Sequence, residues 1–255
     1  MSKITAIVHT YNAEQHLRRA LQALQGFDEL LVVDMESTDS TTAIAAEMGA
    51  RIITFAKGNY NVVEYARQYG IDNATHPWIL EVDADEIVPE ALRRYIYDLI
   101  SRPDAPAGLW IPIRNRFMGK EIKSDYPCYI LRFFKREGTT WPAHIHARPH
   151  VNGEVKYLPK GRKDLAFIHL SDPNVSSRLC KLDGYTNEEL LRKIISKVSI
   201  LRLFWRPTWR FFKSYILSGG FRDGRRGVAK AWFDAIYQVV ILTKAIEREQ
   251  KNSEK

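Results

Sequence analysis

Cysteine is scarce in this 255-residue chain, which carries only Cys128 and Cys180. Two isolated thiols make neither a disulfide framework nor a zinc-ligand spacing, so a reducing compartment is the expectation. Long apolar runs are missing too. No stretch approaches the roughly 20 residues that span a bilayer, and Met1-Ser2-Lys3 leads into a strand-like segment without a signal-peptide pattern. Internal repeats and low-complexity tracts are also lacking. The expectation from these absences is a cytoplasmic protein, or one bound peripherally to a cytoplasmic membrane face.

What is present is an ordinary globular mixture, 45% hydrophobic and 27% charged, long enough for one large domain or one domain with an appendage. The formal charge of +8 points to a polyanionic partner: nucleic acid, an anionic membrane or a phosphorylated saccharide. Lys and Arg concentrate between Arg178 and Arg226, whereas Asp28 to Glu47 is acidic.

Strand-like runs alternate with helical periodicity over the first hundred residues. Ile4–Val8, Glu29–Val33, Arg51–Phe55 and Trp78–Val82 read as strands. Between them lie helices bearing Leu17, Ala20, Leu21 and Leu24, a helix through Met48, and one over 62–74. This predicts an α/β fold, an open, mostly parallel sheet sandwiched by helices, whose ligands bind at the carboxyl ends of the strands. The polar segments His9–Asn12, Asp34–Asp39 and Asp83–Glu86 all fall on that edge. After Pro103 and Pro106 shorter strand-like pieces follow, over 109–113, 129–134 and 154–158, as a small β extension. From Ser176 the chain reads as helical, interrupted at Pro207 and at Gly219-Gly220. The expected organisation is a catalytic domain over 1–175, with a nucleotide-binding half to about residue 100 and an acceptor half over 101–175, then a basic amphipathic helical region over 176–255.

Asp83-Ala84-Asp85-Glu86 is the most informative segment. Two carboxylates one residue apart, just past a strand, can grip Mg²⁺ or Mn²⁺ and leave coordination positions open for substrate phosphates. A nucleotide-sugar diphosphate suits such a site. Acidic residues there also suit the start of the following helix over 89–99.

In this order, His9-Thr10-Tyr11-Asn12, Val32-Val33-Asp34-Met35-Glu36-Ser37-Thr38-Asp39, Tyr65-Ala66-Arg67, Trp78–Glu86, Ile130–Arg136, Phe167-Ile168-His169 and Phe221–Gly227 resemble family 2 glycosyltransferases of the GT-A fold. The similarity is greatest to bacterial lipopolysaccharide-core and surface-polysaccharide sugar transferases. The resemblance implies a nucleotide pocket of Thr10, Tyr11, Asn12 and Asp34. Asp39 either assists there or caps a helix. It also implies diphosphate contact by Arg67, ribose or metal contact by Asp83, metal contact by Asp85, and His169 completing the metal or diphosphate site. The implied cofactor is a divalent cation, and the implied donor a nucleoside-diphosphate sugar, UDP-linked as the first expectation. The implied acceptor is lipid-linked or a lipopolysaccharide core. Met35-Glu36 replaces a commoner small-Gly pair, and Ala147 stands where relatives show an acid. With no acid there, His146, His144 and Asp125 are the candidates for the general base, because a neutral imidazole or a carboxylate can take the acceptor proton. Trp141 and Tyr126 suit either sugar stacking or core packing.

Residues 190–246 interleave cations with bulky apolar groups, as in Leu201-Arg202-Leu203-Phe204-Trp205-Arg206. This pattern suits an anionic membrane surface, the favoured reading, with a helical hairpin packed on the catalytic domain or a dimer contact as the alternative. Transfer to polyprenyl phosphate is the alternative acceptor chemistry, and nucleotidyl transfer the alternative use of paired carboxylates. A basic nucleic-acid-binding protein is the alternative of another class, but it leaves Asp83 and Asp85 without a role, so no nucleic-acid partner is expected.

Overall fold

Ile4-Thr5-Ala6-Ile7-Val8 has no polar alternation, the mark of a strand covered on both faces, and Ile4–Thr10 forms β1 with every residue buried. The computed structural model describes residues 2–58, 63–143, 147–170, 175–193, 195 and 197–253. Helix α1 (Glu14–Ala23) buries Leu17, Ala20 and Leu21, whose 3- and 4-residue spacings set one face. Strand β2 (Glu29–Asp34), helix α2 (Thr41–Glu47) and strand β3 (Arg51–Thr54) repeat the unit. The next helix is shorter than its periodicity predicts. Val63–Ala66 form a 3-10 turn and α3 covers only Arg67–Asn73, consistent with β-branched Val63 resisting a regular α-turn. Strand β4 (Trp78–Asp83) is followed by the two-residue β5 (Glu86–Ile87) and helix α4 (Glu90–Ile100).

The second half of the sheet adds β6 (Gly108–Phe117), β7 (Lys120–Glu121), β8 (Cys128–Lys135), β11 (Val155–Tyr157) and β12 (Phe167–His169), while β9 (Thr139–Thr140) and β10 (His150–Val151) pair as a separate two-stranded sheet. Strand order runs β3-β2-β1-β4-β8-β6-β12-β5. The first four strands are mutually parallel, while β4–β8, β8–β6 and β12–β5 are antiparallel. The two faces of the sheet carry separate cores. Val8, Val32, Leu80 and Phe133 pack with Leu17, Leu21, Leu92 and Ile96 of α1 and α4. Ile7, Leu31, Val33 and Ile79 pack with Ile71 of α3 and with Trp141. Alternate strand residues therefore face helices on opposite sides, which is the sandwich that continuous apolar strands require.

The chain divides into two compact units, Met1–Arg114 with Pro127–Leu170, and Asn115–Tyr126 with Ser171–Lys255. Residues 115–126, read from sequence as part of the acceptor half, thus group with the C-terminal helices. Within that second unit the Asp223 carboxylate accepts the backbone N–H groups of Lys123 (2.8 Å) and Ser124 (3.0 Å). Its helices are α5 (Val175–Arg192), α6 (Ile200–Phe212) and α7 (Gly224–Ser253). Leu190, Ile241, Leu242 and Ala245 form their core. Pro207 does not interrupt α6, contrary to the sequence reading. It sits inside the helix with its ring buried, so one backbone hydrogen bond is forgone while the packing is kept. The break comes later, at a π-turn over Lys213–Leu217 and at Gly219, whose φ of 76° suits glycine. Gly227 allows a close backbone approach, since a Cβ there would lie 1.8 Å from the Gly220 carbonyl oxygen. No helix among the described residues is long and apolar enough to cross a membrane.

Candidate active site

The carboxyl ends of the parallel strands gather the polar residues. Register pairs Thr10 of β1 with Asp34 of β2, and His9 with Asp83 of β4. Asp34 is buried and accepts hydrogen bonds from Thr10 Oγ1 (2.9 Å), Ser37 N (2.9 Å) and Ser37 Oγ (2.6 Å). Asn12 adopts a left-handed φ of 47°. Its backbone N–H donates to Ser37 Oγ, and its side-chain oxygen accepts from the Thr38 N–H, each at 2.9 Å. These bonds weld the loops after β1 and β2 into one rim, on which Tyr11 stands exposed with Lys57 over its ring. Asp39 accepts from the backbone N–H of Thr41 (3.0 Å) and of Glu14 (3.2 Å). It therefore ties together the starts of α1 and α2, the capping role.

Beside this rim lies a buried charge network. Arg67, at the start of α3, places Nη1 3.2 Å from Glu81 Oε2 and Nη2 2.7 Å from Asp83 Oδ1. Arg132 of β8 reaches the same Asp83 with both Nη atoms, at 3.2 and 2.5 Å, a two-pronged grip that suits guanidinium geometry. Two anions and two cations balance here. His9 Nε2 lies 3.0 Å from Glu81 Oε2, close enough for a charge contact but not aligned as a hydrogen bond. Burial opposes ionisation of Asp83, yet the charges of Arg132 and Arg67 overcome it and hold the carboxyl far below the usual range. Glu86 goes the other way: burial first, then the Asp83 charge, push it up to about 7. Its Oε2 accepts the Asp83 N–H at 2.9 Å.

The short antiparallel pairing of β5 with β12 sets His169 opposite Glu86 and lets the Leu170 N–H donate to the Asp85 carbonyl at 2.8 Å. That pairing brings His169 Nε2 to 3.3 Å from Asp85 Oδ2. Burial alone would lower the His169 pKa, but the hydrogen bond to Asp85 and that carboxylate's charge raise it to about 9. The pair is thus an imidazolium–carboxylate ion pair at neutral pH.

A cleft of about 280 Å³ opens against this network, with Glu64, Arg67, Trp110, Arg132, Trp141 and Arg148 among its lining residues. Arg67 stacks over the Trp141 ring at 4.9 Å. Ala147 lines the cleft as well and offers no proton acceptor there.

Thr10, Asn12, Asp34, Arg67, Asp83, Asp85 and His169 therefore converge on one edge of the first unit. Asp125 lies in the second unit with its carboxylate 3.0 Å from Lys230 Nζ, an ion pair that already engages it. His144 and His146 lie outside the described residues. Sequence reading assigned no role to Glu81, Glu86, Arg132 or Glu64. For Glu81 and Arg132 a signal exists: each is a charge inside an otherwise apolar strand, which demands a buried partner. For Glu86 and Glu64 there is none, because only the fold sets their surroundings.

Among the described residues no three His, Cys, Asp or Glu side chains form a metal-binding group. Asp83 does not fit as a ligand, since both its oxygens are bonded to arginine. The Asp85–His169 pair does fit, as one oxygen and one imidazole nitrogen that share their proton and could exchange it for a cation.

The glycosyl transferase family 2 model matches residues 5–152, more than half of the chain. A Rickettsia conorii protein named as an uncharacterized glycosyltransferase is 25% identical over 98% of this chain and 92% of its own length. LpsC of Rhizobium meliloti, a lipopolysaccharide core biosynthesis glycosyltransferase, is 22% identical over 96% and 92%. Two solved structures share the fold at low identity. The Pyrobaculum calidifontis mannosyltransferase PcManGT, in complex with GDP-Man and Mn²⁺, gives a TM-score of 0.58 at 13% identity, covering 96% of this chain and 87% of that one. S. aureus TarS residues 1–349 give 0.52 at 14%, covering 98% and 92%. The GT-A fold is the one that the motif resemblance implies, and with more than half its length matched, the chain belongs to glycosyl transferase family 2 and is a glycosyltransferase.

Proposed function

We propose that this enzyme transfers a sugar, with inversion, from a nucleoside-diphosphate donor to a lipid-linked or lipopolysaccharide-core saccharide at an anionic membrane surface. The observation that carries the reading is the gathering of the Thr10–Asn12–Asp34 rim, the Arg67–Asp83–Arg132 network and the Asp85–His169 pair at the carboxyl edge of the parallel strands. The buried Asp34 carboxylate suits hydrogen bonds from base or ribose. Arg67 and Arg132 line the cleft in orientations fixed by Asp83, so donor groups placed there need no rearrangement as the diphosphate departs. A divalent cation held by Asp85 and His169 would neutralise charge on that diphosphate; PcManGT was solved with GDP-Man and Mn²⁺. Likeness to LpsC supports a lipopolysaccharide-core acceptor.

The membrane part rests on α6. Phe204 is 71% and Trp205 63% exposed, with Ile200, Leu201, Trp209 and Phe212 exposed beside them. The same helix carries Arg202, Arg206 and Arg210, the charge complement of an anionic headgroup layer.

Incubation with a panel of UDP- and GDP-sugars in Mn²⁺ or Mg²⁺ tests the donor site. At least one donor is expected to release its nucleoside diphosphate, and Asp85→Ala should lower that rate by about 100-fold or more. Unchanged turnover and donor affinity in Asp85→Ala would refute the assignment, and pyrophosphate release from a nucleoside triphosphate would favour nucleotidyl transfer.

A further inference from the structure

Glycosyl transfer to a hydroxyl needs a group that takes the acceptor proton, and the nearby carboxylates are already committed. Glu81 and Asp83 are bonded to arginine. Glu86 is buried against the Asp83 backbone. Asp85 is paired with His169, and Asp34 is held by Thr10 and Ser37. In the second unit Asp125 is held by Lys230. Glu64 differs from all of these. It is half-buried on the 3-10 turn before α3, three residues ahead of Arg67. It is the one carboxylate among the residues that line the 280 Å³ cleft, where Arg67, Arg132 and Arg148 also project, and it makes no hydrogen bond or ion pair with the described residues. An ionised carboxylate that is partly solvated and faces a cleft can accept a proton.

We infer that Glu64 is the general base of the transfer, standing in for the acid that is missing at Ala147. This rests on the glycosyl-transfer reading above. The acceptor O–H proton passes to a Glu64 carboxylate oxygen, while the acceptor oxygen forms the new bond to the anomeric carbon. The bond from that carbon to the β-phosphate oxygen breaks, and its electron pair leaves on the diphosphate. The position also explains the turn. One 3-10 turn followed by α3 puts Glu64 and Arg67 in the same cleft, so that proton removal and leaving-group stabilisation come from one short segment.

The test uses the full-length protein and whichever member of the UDP- and GDP-sugar panel the wild type hydrolyses fastest, with water as acceptor. Glu64→Gln, which keeps shape and removes the charge, should lower kcat by about 100-fold, while affinity for that donor's nucleoside diphosphate by calorimetry stays within about twofold. The fall in rate toward acid pH that a titrating base produces should vanish in Glu64→Gln and persist in Glu64→Asp. A Glu64→Gln rate within about threefold of wild type overturns the inference, as does an equal loss of affinity for that nucleoside diphosphate, which would mark a structural or donor-binding role. Should the wild type consume no donor, the glycosyl-transfer reading itself fails, a result that the Glu64 variants cannot mimic.

Discussion

Arg132 shows how much of this site depends on single side chains. It is 9% exposed, and its partner Asp83 comes from a strand 49 positions away. Burial disfavours its charge, but the Asp83 carboxylate, and Glu86 after it, raise its pKa above the usual arginine value. Arg132→Ala leaves Asp83 with Arg67 alone, which Glu81 already shares. Breaking a buried pair in this way typically costs about 3–5 kcal/mol, so the urea midpoint should fall markedly. Arg132→Lys should lose less, since charge is retained while the two-pronged contact is not. The double variant Asp83→Asn/Arg132→Ala should be less destabilised than the sum of its parts, and strict additivity would disprove the coupling. At this scale the Asp83–Asp85 motif was legible because it is local. Its wiring was not, because the partners of Asp83 lie at sequence separations of 16 and 49, and strand patterning predicts burial rather than which charges meet.

The parallel strands were readable for a physical reason. Covered on both faces, Ile4–Thr10 and Trp78–Asp83 need continuous apolar runs, and the intervening helices need a 3.6-residue period. The two-residue strands β5, β7, β9 and β10 fall below any period, and although the segments of β11 and β12 were singled out, the β5–β12 pairing that brings His169 to Asp85 was not, because a two-residue strand carries no pattern that names its partner. Glu29, at the start of β2, shows how the readable strands are tied together. Its carboxylate accepts from Thr5 Oγ1 of β1 (2.6 Å), Arg51 Nη2 of β3 (2.7 Å) and the Thr75 N–H before β4 (2.8 Å). Burial raises its pKa, but the Thr5 and Thr75 hydrogen bonds, with Arg51 after them, outweigh that and bring it down to about 2 from an ordinary 4.5. A folded-state pKa below the unfolded one stabilises the fold above pH 4.5, and that stability is lost as pH falls from 4.5 toward 2. Glu29→Gln should therefore destabilise by about 2 kcal/mol at pH 7 and flatten the loss of stability between pH 4.5 and 2. Denaturant curves at pH 7, 4 and 3 check both, and parallel pH dependences in wild type and variant would contradict the assignment.

For the molecule as a whole, the net charge of +8 and the family were both legible, since charge is a sum and the family rests on an ordered set of motifs. What an overall sum cannot give is where the charge meets apolar surface. On α6 the ordinary arrangement of a helix is reversed: Pro207 is buried, while Ile200, Leu201, Phe204, Trp205, Trp209 and Phe212 are exposed. Trp205 and Trp209 stack at 6.2 Å, and Trp209 and Phe212 at 5.9 Å, so the rings form one continuous patch rather than scattered singles. A bilayer interface satisfies both halves of this surface, burying the rings and placing arginines among anionic headgroups at about 1 kcal/mol each. The protein should co-sediment with vesicles containing 30% phosphatidylglycerol more strongly than with pure phosphatidylcholine, and less so as salt screens the attraction. Trp205→Ala/Trp209→Ala should weaken binding to both vesicle types by about tenfold or more while leaving thermal unfolding nearly unchanged, because the rings are already in solvent. Replacing Arg202 and Arg206 with Gln should instead erase the preference for phosphatidylglycerol and spare the remainder. Wild-type binding to phosphatidylglycerol vesicles in both variants would assign the patch to protein contact, which a concentration-dependent mass by light scattering, lost in Trp205→Ala/Trp209→Ala, would then identify as self-association.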